Sequence, residues 1–327
     1  MVLRAVLLCA LALGGVCGAP FGRADAQSWP ARPIKLIVPT GAGAATDIMA
    51  RLLGEGISRG LGQPVVVENM AGASGIVAHQ AAARAAPDGY TLLFTNTSGV
   101  AINPVTFKQL PYDPARDFTP VAMVVSFAPQ MVSVNSDLPV RTLPELISYA
   151  QANRGKLSVG ADATAGAAIF TARLLNKRAD LGLAEVPYRA AAQMAQDTAS
   201  GVNPVMVSSI AVANPFVQAG KVRRIAVSSG RRFPGMDDVP TMAETVPGVI
   251  VNGWFGVLAP VGTPADIVNR VNQEVGEYLK GREIRERLLT FGLASEGAGT
   301  PESTAQYIRA EQERWRQLAA ELAIQPQ

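Results

Sequence analysis

Short apolar runs alternate along the chain with segments that have helical spacing. The first run, Ile34–Val38, ends at a proline and a loop of small residues, which is typical of a buried strand. Similar runs occur at Val65–Val67, Thr91–Phe94, Leu157–Val159, Ala184–Val186, Val205–Val207, Arg224–Val227 and Trp254–Ala259. Helical spacing follows the first run, at Ile48, Leu52, Leu53 and Ile57. Strands that alternate with helices predict parallel sheets with helices on their faces.

The order of these runs predicts an α/β fold with two domains. A second unit begins near Val132, and the chain returns to the first unit through the run Trp254–Ala259. We therefore expect one domain from residues 27–130 and 254–327 and another from residues 131–253. Two crossing segments, near Pro129–Val134 and Gly253–Ala259, would form a hinge. Such a hinge lets domains close around a ligand.

Capping patterns predict where three helices begin. Thr142 is followed three positions later by Glu145, which completes a capping box. The pairs Thr263–Pro264 and Thr300–Pro301 each place a cap residue before a first-turn proline. The last helix has one apolar face, which we expect to pack against the protein rather than bind ligand, formed by Ile308, Trp315, Leu318 and Leu322.

The N-terminus has the pattern of a secretory signal. Arg4 precedes the apolar run Ala5–Leu13, which is too short to span a bilayer as a helix, and Ala24–Ala26 supplies a small-x-small cleavage pattern. We predict that residues 1–26 are a signal peptide and that the protein is periplasmic. The sequence leaves open whether Cys17 is lipidated.

The remaining residues offer little equipment for catalysis. Loss of the signal peptide removes both cysteines, and His79 is the only histidine. This count excludes thiol chemistry, disulfides and zinc sites with three histidines. His79 lies in a helical run of small apolar residues, where we expect a solvated or core-edge side chain. The 27 basic and 25 acidic residues that remain form no basic run, so we expect no nucleic-acid partner. We also expect no cofactor and no metal.

The loop Gly41–Thr46 is the main candidate for a binding site. Its sequence is close to the dinucleotide-binding fingerprint G-x-G-x-x-G/A, and Glu68 lies at a later strand end, where a ribose-binding acid is expected. The sixth position, however, is Thr46 rather than glycine. Because small residues let backbone N–H groups approach an anion at a helix N-terminus, the loop suits a phosphate or a carboxylate equally well. A dinucleotide has less support, since an exported protein rarely meets a soluble nicotinamide cofactor. We expect Asp47 to cap the helix, because it would repel an anion.

Short motifs follow one another in a fixed order, at Trp29–Pro39, Ala45–Ile48, Leu61–Asn69, Ala86–Leu93, Ala101–Pro104, Leu110–Pro114, Val186–Tyr188, Asp238–Thr241 and Trp254–Pro260. In this order they resemble the Bug (TctC-like) family of periplasmic receptors, which serve tripartite tricarboxylate transporters. The resemblance covers essentially the whole mature sequence. It implies a periplasmic binding protein (Venus-flytrap) fold with two hinge crossovers.

The resemblance also implies a function without catalysis. The protein would be an extracytoplasmic receptor that binds a small organic carboxylate between its domains and delivers it to membrane permease subunits. We expect a monomer. An exported ligand sensor for a signalling partner stays open, because it needs the same two-domain clamp. An exported α/β hydrolase has less support, because the sequence has no G-x-S-x-G motif.

Candidate ligand-binding residues are carried over from the family by position. In the first domain they are Thr40, Gly41, Ala42, Gly43, Ala44, Thr46, Thr95, Asn96 and Thr97. In the second domain they are Asp162, Ala163, Thr164, Gly166, Ser208 and Ser209. Each polar member has an alternative role as a cap or turn former. The segment that begins at Asp162 departs from the family pattern. The carboxylate of Asp162 would repel a second carboxylate of the ligand. We therefore predict a preference for monocarboxylates or for ligands with a donor group there.

Overall fold

The computed structural model describes residues 29–162, 166–188 and 190–326. The predicted signal peptide and two predicted ligand contacts, Ala163 and Thr164, lie outside these residues. The backbone of Asp162 is described, but its side chain is not.

Strands and helices alternate along the described residues, as the apolar pattern predicts. The strands are β1 (Ile34–Val38), β2 (Val65–Asn69), β3 (Thr91–Asn96), β4 (Phe118–Asn135), β5 (Ser158–Asp162), β6 (Ala184–Tyr188), β7 (Val205–Ser209), β8 (Val222–Val227) and β9 (Asn252–Pro260). The α-helices are α1 (Ala45–Leu61), α2 (Ile76–Ala83), α3 (Asn103–Thr106), α4 (Leu143–Ala152), α5 (Ala167–Arg178), α6 (Ala191–Ala199), α7 (Ile210–Gln218), α8 (Ala265–Lys280), α9 (Arg282–Thr290) and α10 (Pro301–Glu321). A π-helical turn, Ser98–Ile102, precedes α3.

The strands form two groups that share the long strand β4. The first group has the order β2-β1-β3-β9-β4. In the second group the far half of β4 continues the order as β4-β7-β5-β6, and β8 also pairs with β4. Pairing is parallel within β1, β2 and β3 and within β5, β6 and β7, as expected. The pairs that involve β4 or β9 are antiparallel, so each group is a mixed sheet that contains the predicted parallel strands. Strand β4 carries the chain from the first group into the second, and β9 lies just after its return.

The chain crosses between the groups at two places close to the predicted hinge. In β4, Pro129 still pairs with Asn252 of β9, whereas Gln130 pairs with Ser209 of β7. The return crossing lies just before Asn252, because the N–H of Val251 still donates to Ser228 in the second group. The predicted segment Gly253–Ala259 therefore lies just beyond the crossing, inside β9.

Two of the three predicted helix caps are present. The Thr300 hydroxyl accepts the N–H of Ser303 in a complete capping box at the start of α10. The Thr142 hydroxyl accepts the N–H of Glu145, but the Glu145 carboxylate accepts the N–H of Arg141 instead of closing the box. The prediction for Thr263 is wrong, because its hydroxyl donates to a preceding carbonyl oxygen and Pro264 occupies the N-cap position of α8.

The last helix contributes to the core of both strand groups. Ile308 packs with side chains of the first group, including Ile37 and Leu258. Farther along the helix, Trp315 belongs to a second-group cluster, where its ring meets Phe170 of α5 edge to face at 5.1 Å between centroids. The predicted packing role of this apolar face is therefore confirmed. No helix among the described residues has the length and apolar character needed to cross a membrane.

Candidate functional site

The glycine-rich loop that follows β1 is open to its surroundings. Gly41, Ala42 and Gly43 are exposed, and a Cβ added at either glycine would meet no atom within 4 Å. Gly43 has a φ of +83°, in the left-handed region that glycine adopts without strain. Helix α1 begins directly after this loop. Its N-cap residue, Ala44, makes no side-chain hydrogen bond to the first turn of the helix. The backbone here is accessible to a small ligand.

One buried carboxylate holds the loop in place. Asp47 is only 2% exposed, and its Oδ2 accepts the N–H of Gly43 at 2.8 Å. This bond goes to Gly43, which precedes the N-cap residue Ala44, and no side-chain hydrogen bond caps α1, so the predicted helix-capping role of Asp47 is wrong. Its Oδ1 accepts the side-chain amide of Asn69 at 2.8 Å, and Arg51 pairs with the same carboxylate at 3.0 Å. Because the Gly43 N–H is already bonded, fewer loop amides than predicted are free to receive an anion.

The partners of Asp47 were not predicted from sequence. Asn69 ends β2 and also donates its amide to the Thr40 carbonyl oxygen at 3.0 Å. Arg51 donates to the Asn69 side-chain oxygen at 2.9 Å. The spacing of four residues between Asp47 and Arg51 was the available signal, since such pairs meet on a helix face.

The predicted residues at the end of β3 are mostly engaged inside the protein. Thr95 is fully buried, with its Oγ1 2.7 Å from Nε2 of His79. The Thr97 hydroxyl accepts the backbone N–H of Trp254 at 2.8 Å. Asn96 is half-buried, and its side-chain oxygen accepts the N–H of Gly99 at 3.3 Å. Of these three side chains, Asn96 is the most available to a ligand.

His79 is neither solvated nor at the edge of the core, so that expectation is wrong. It is fully buried, and this burial lowers the pKa of its imidazole to about 4. Its Nδ1 lies 2.8 Å from the carbonyl oxygen of Gly75, and its ring stacks on Tyr112 at 5.0 Å between centroids. The ring is therefore neutral at physiological pH and out of contact with solvent.

The predicted second-domain residues also follow the carboxyl ends of strands. Asp162 is the last residue of β5, and Gly166 is the N-cap of α5, which has no side-chain cap. Ser208 is fully buried, and its hydroxyl donates to the carbonyl oxygen of Ser209. Ser209 is half-buried at the N-cap of α7 and makes no side-chain cap bond. Since β5 and β7 are parallel neighbours, these strand ends lie at one edge of the second group.

The first-domain residues come together for the same reason. Strands β1 and β3 are parallel neighbours, so the loop after Val38 and the segment after Thr95 lie at one edge of the first group. Thr46, in the first turn of α1, is 5% exposed. A cavity of about 720 Å³ lies elsewhere, between α5, β6 and the C-terminal residues, and no predicted site residue lines it.

Solved structures share this architecture. The periplasmic binding protein BugD has a TM-score of 0.76 with 29% identity, covering 91% of this chain and all of that chain. Rpa4515 of R. palustris, solved with adipate, has a TM-score of 0.82 with 33% identity and coverage of 91% and 100%. MatC (Rpa3494) from Rhodopseudomonas palustris, with bound malate, has a TM-score of 0.75 with 32% identity and coverage of 88% and 99%. The fold is therefore that of an α/β periplasmic binding protein.

Sequence comparison assigns the family. Residues 49–324 match the tripartite tricarboxylate transporter family receptor. Protein BugT of Bordetella pertussis (strain Tohama I) is 33% identical over 293 residues, which is 89% of each chain. The chain belongs to this TctC family, and the resemblance expected from its motifs is confirmed.

Proposed function

We propose that this protein is a monomeric extracytoplasmic receptor that binds a small organic carboxylate between two domains and delivers it to membrane permease subunits. The observation that carries the proposal is the open loop Thr40–Ala44 at the start of α1. The first N–H groups of a helix have no partner within the helix, and they carry a partial positive charge. An exposed glycine-rich loop beside these groups suits a carboxylate.

Helix α5 would supply the opposite wall. It begins at Ala167, its N-cap residue Gly166 makes no side-chain cap bond, and it follows the parallel strand β5 of the second group. Closure of the groups about the crossings in β4 and before β9 would remove water from the ligand. Hydrogen bonds to an anion are stronger in a medium of lower dielectric constant. Binding of this kind needs no reactive side chain, and the buried, neutral His79 is consistent with a protein that is not an enzyme.

The family supports a carboxylate as the ligand. Rpa4515 was solved with adipate and MatC with malate, and both ligands are small organic acids. Membership of a family of periplasmic receptors also supports the proposed periplasmic location and the signal peptide at residues 1–26.

Calorimetric titration and thermal unfolding with adipate, malate and a set of monocarboxylates test the proposal and the predicted preference for monocarboxylates. A ligand that binds only the folded state at about 100 times its dissociation constant adds about 2.7 kcal/mol to the free energy of unfolding. Adipamide is the matched control, since it has the shape of adipate without its charges. We expect at least one organic acid to raise the melting temperature while its amide does not. The proposal fails if a broad set of organic acids gives no shift, or if acids and amides give equal shifts.

A further inference from the structure

Asp47 connects both ends of the exposed loop to the body of the protein. Its carboxylate bonds directly to the N–H of Gly43, at the end of the loop. It also bonds to the amide of Asn69, which in turn holds the carbonyl oxygen of Thr40 at the start of the loop. Between these anchors Gly41 and Ala42 are exposed, and the loop has one internal hydrogen bond, from the N–H of Ala44 to the Gly41 carbonyl oxygen at 3.3 Å. The loop conformation therefore depends on these hydrogen bonds.

The charge of Asp47 is balanced inside the same network. Burial opposes its ionisation, but hydrogen bonds from Asn69, Gly43 and Arg51 outweigh burial and keep the pKa of its carboxyl below the ordinary value. A lone buried carboxylate beside an anion site would repel the ligand. The Arg51 guanidinium, at 3.0 Å, supplies the compensating positive charge.

We propose that Asp47 is the positioning residue of the ligand-binding loop: it fixes the loop amides for the carboxylate, while Arg51 neutralises it. This inference rests on the proposed function. Asp47 itself does not touch the ligand, because its two oxygens are occupied by Gly43, Asn69 and Arg51. Its contribution lies in the order of the loop before the ligand arrives, which reduces the entropy that binding must remove.

The variant Asp47→Asn tests this role with almost no change in volume. The new amide has one oxygen for the Gly43 N–H, but its NH₂ group then faces the NH₂ group of Asn69. If Asn69 turns to accept, it releases the Thr40 carbonyl oxygen. Either arrangement loosens one end of the loop. Because hydrogen bonds to a charged group contribute about 1.5 to 3 kcal/mol, we expect the affinity for adipate or malate to fall about tenfold or more.

The double variant Asp47→Asn/Asn69→Asp separates the two anchors. A carboxylate at position 69 accepts the new amide at position 47 and keeps the bond to Arg51, so the Gly43 anchor is kept. The Thr40 anchor is lost, because a carboxylate has no proton to donate to that carbonyl oxygen. We therefore expect the affinity to stay about tenfold or more below that of the wild type, while hydrogen exchange of the Gly43 amide remains slow.

The chain offers a matched control in Asp117. Its Oδ2 accepts the backbone N–H of Asp113, four residues earlier, at 2.7 Å, which repeats the Asp47–Gly43 arrangement. Asp117 directly precedes β4, whose first residue pairs with Pro260 at the end of β9. Since β9 runs antiparallel to β3, this position lies at the opposite edge of the sheet from the loop. Asp117→Asn should lower stability without changing affinity.

The outcomes separate the two proposals. If Asp47→Asn or the double variant binds as tightly as the wild type, the positioning role is wrong. Equal losses of affinity in Asp47→Asn and Asp117→Asn also contradict it, since they indicate general destabilisation. If the folded wild type binds none of the organic acids, the proposed function fails, and the ligand role of Asp47 fails with it.

Discussion

The stability of the fold should depend on pH through His79, the single histidine of this chain. Burial lowers the pKa of His79 to about 4, although the hydrogen bond to the Gly75 carbonyl oxygen acts in the opposite direction. Because Nδ1 faces that carbonyl oxygen, Nδ1 carries the proton of the neutral ring and Nε2 accepts the hydroxyl proton of Thr95. The folded protein therefore keeps this ring uncharged.

The sign and size of the pH effect follow from this shift. A histidine in the unfolded chain has a pKa of about 6.5, so between about pH 6.5 and about pH 4 only the unfolded state binds the proton. The stability that His79 contributes is complete above about pH 6.5 and is lost as the pH falls toward about 4. Each pH unit in this window costs about 1.4 kcal/mol. Lowering the pH from about 7 to about 5 should therefore cost about 2 kcal/mol.

Urea unfolding followed by tryptophan fluorescence measures this cost at both pH values. The control is His79→Gln, which lacks the titrating group. We expect the variant to be less stable at neutral pH but to lose about 2 kcal/mol less than the wild type on acidification. NMR of the one imidazole reports its pKa directly. A ring that titrates near pH 6.5 in the folded protein, or equal pH slopes for the two proteins, would refute the reasoning.

Two substitutions test contacts outside the proposed site, both by urea unfolding. Gly292 and Gly220 share a φ of +68°, but a Cβ at Gly292 would lie 2.4 Å from the Cβ of Ile210, whereas one at Gly220 would meet nothing. Gly220→Ala should cost about 1 kcal/mol and Gly292→Ala about 1 to 3 kcal/mol more, and equal costs would contradict the contact. Trp315→Ala should cost about 3 to 5 kcal/mol, because this side chain is 2% exposed. Its exposed neighbour should contribute little, so Arg316→Ala should stay within about 0.5 kcal/mol, and similar losses in both would contradict the packing of α10.

The alternation of apolar runs was sufficient to place most strands, because a buried strand between helices has a strong local pattern. It did not show the extent of β4, which runs from Phe118 to Asn135. Pro120 and Pro129 interrupt this segment, and proline weakens the pattern of a strand. The structure accommodates this strand through irregularities in its pairing with β9, one of them between Pro120 and Ala122. Such irregular pairing depends on the neighbouring strand and leaves no local signal.

The candidate site was predictable as a set of loops but not as a set of free groups. Small residues after a strand indicated an exposed backbone at Gly41–Ala44. Whether a hydroxyl is free depends on partners far away in sequence, and these were not visible. Thr97 bonds to the backbone of Trp254, 157 residues later, and Thr95 bonds to the side chain of His79. The same limit explains why Asn69 was missed as a partner of Asp47.

The position of α10 also makes the two strand groups depend on one helix. Ile308 and Trp315 each complete a hydrophobic cluster in a different strand group. A chain that lacks these residues leaves both clusters unsealed, whatever else of the sequence is present. Neither half therefore reaches a fully buried core without α10, and a chain cut before Ile308 would be a ready substrate for proteases.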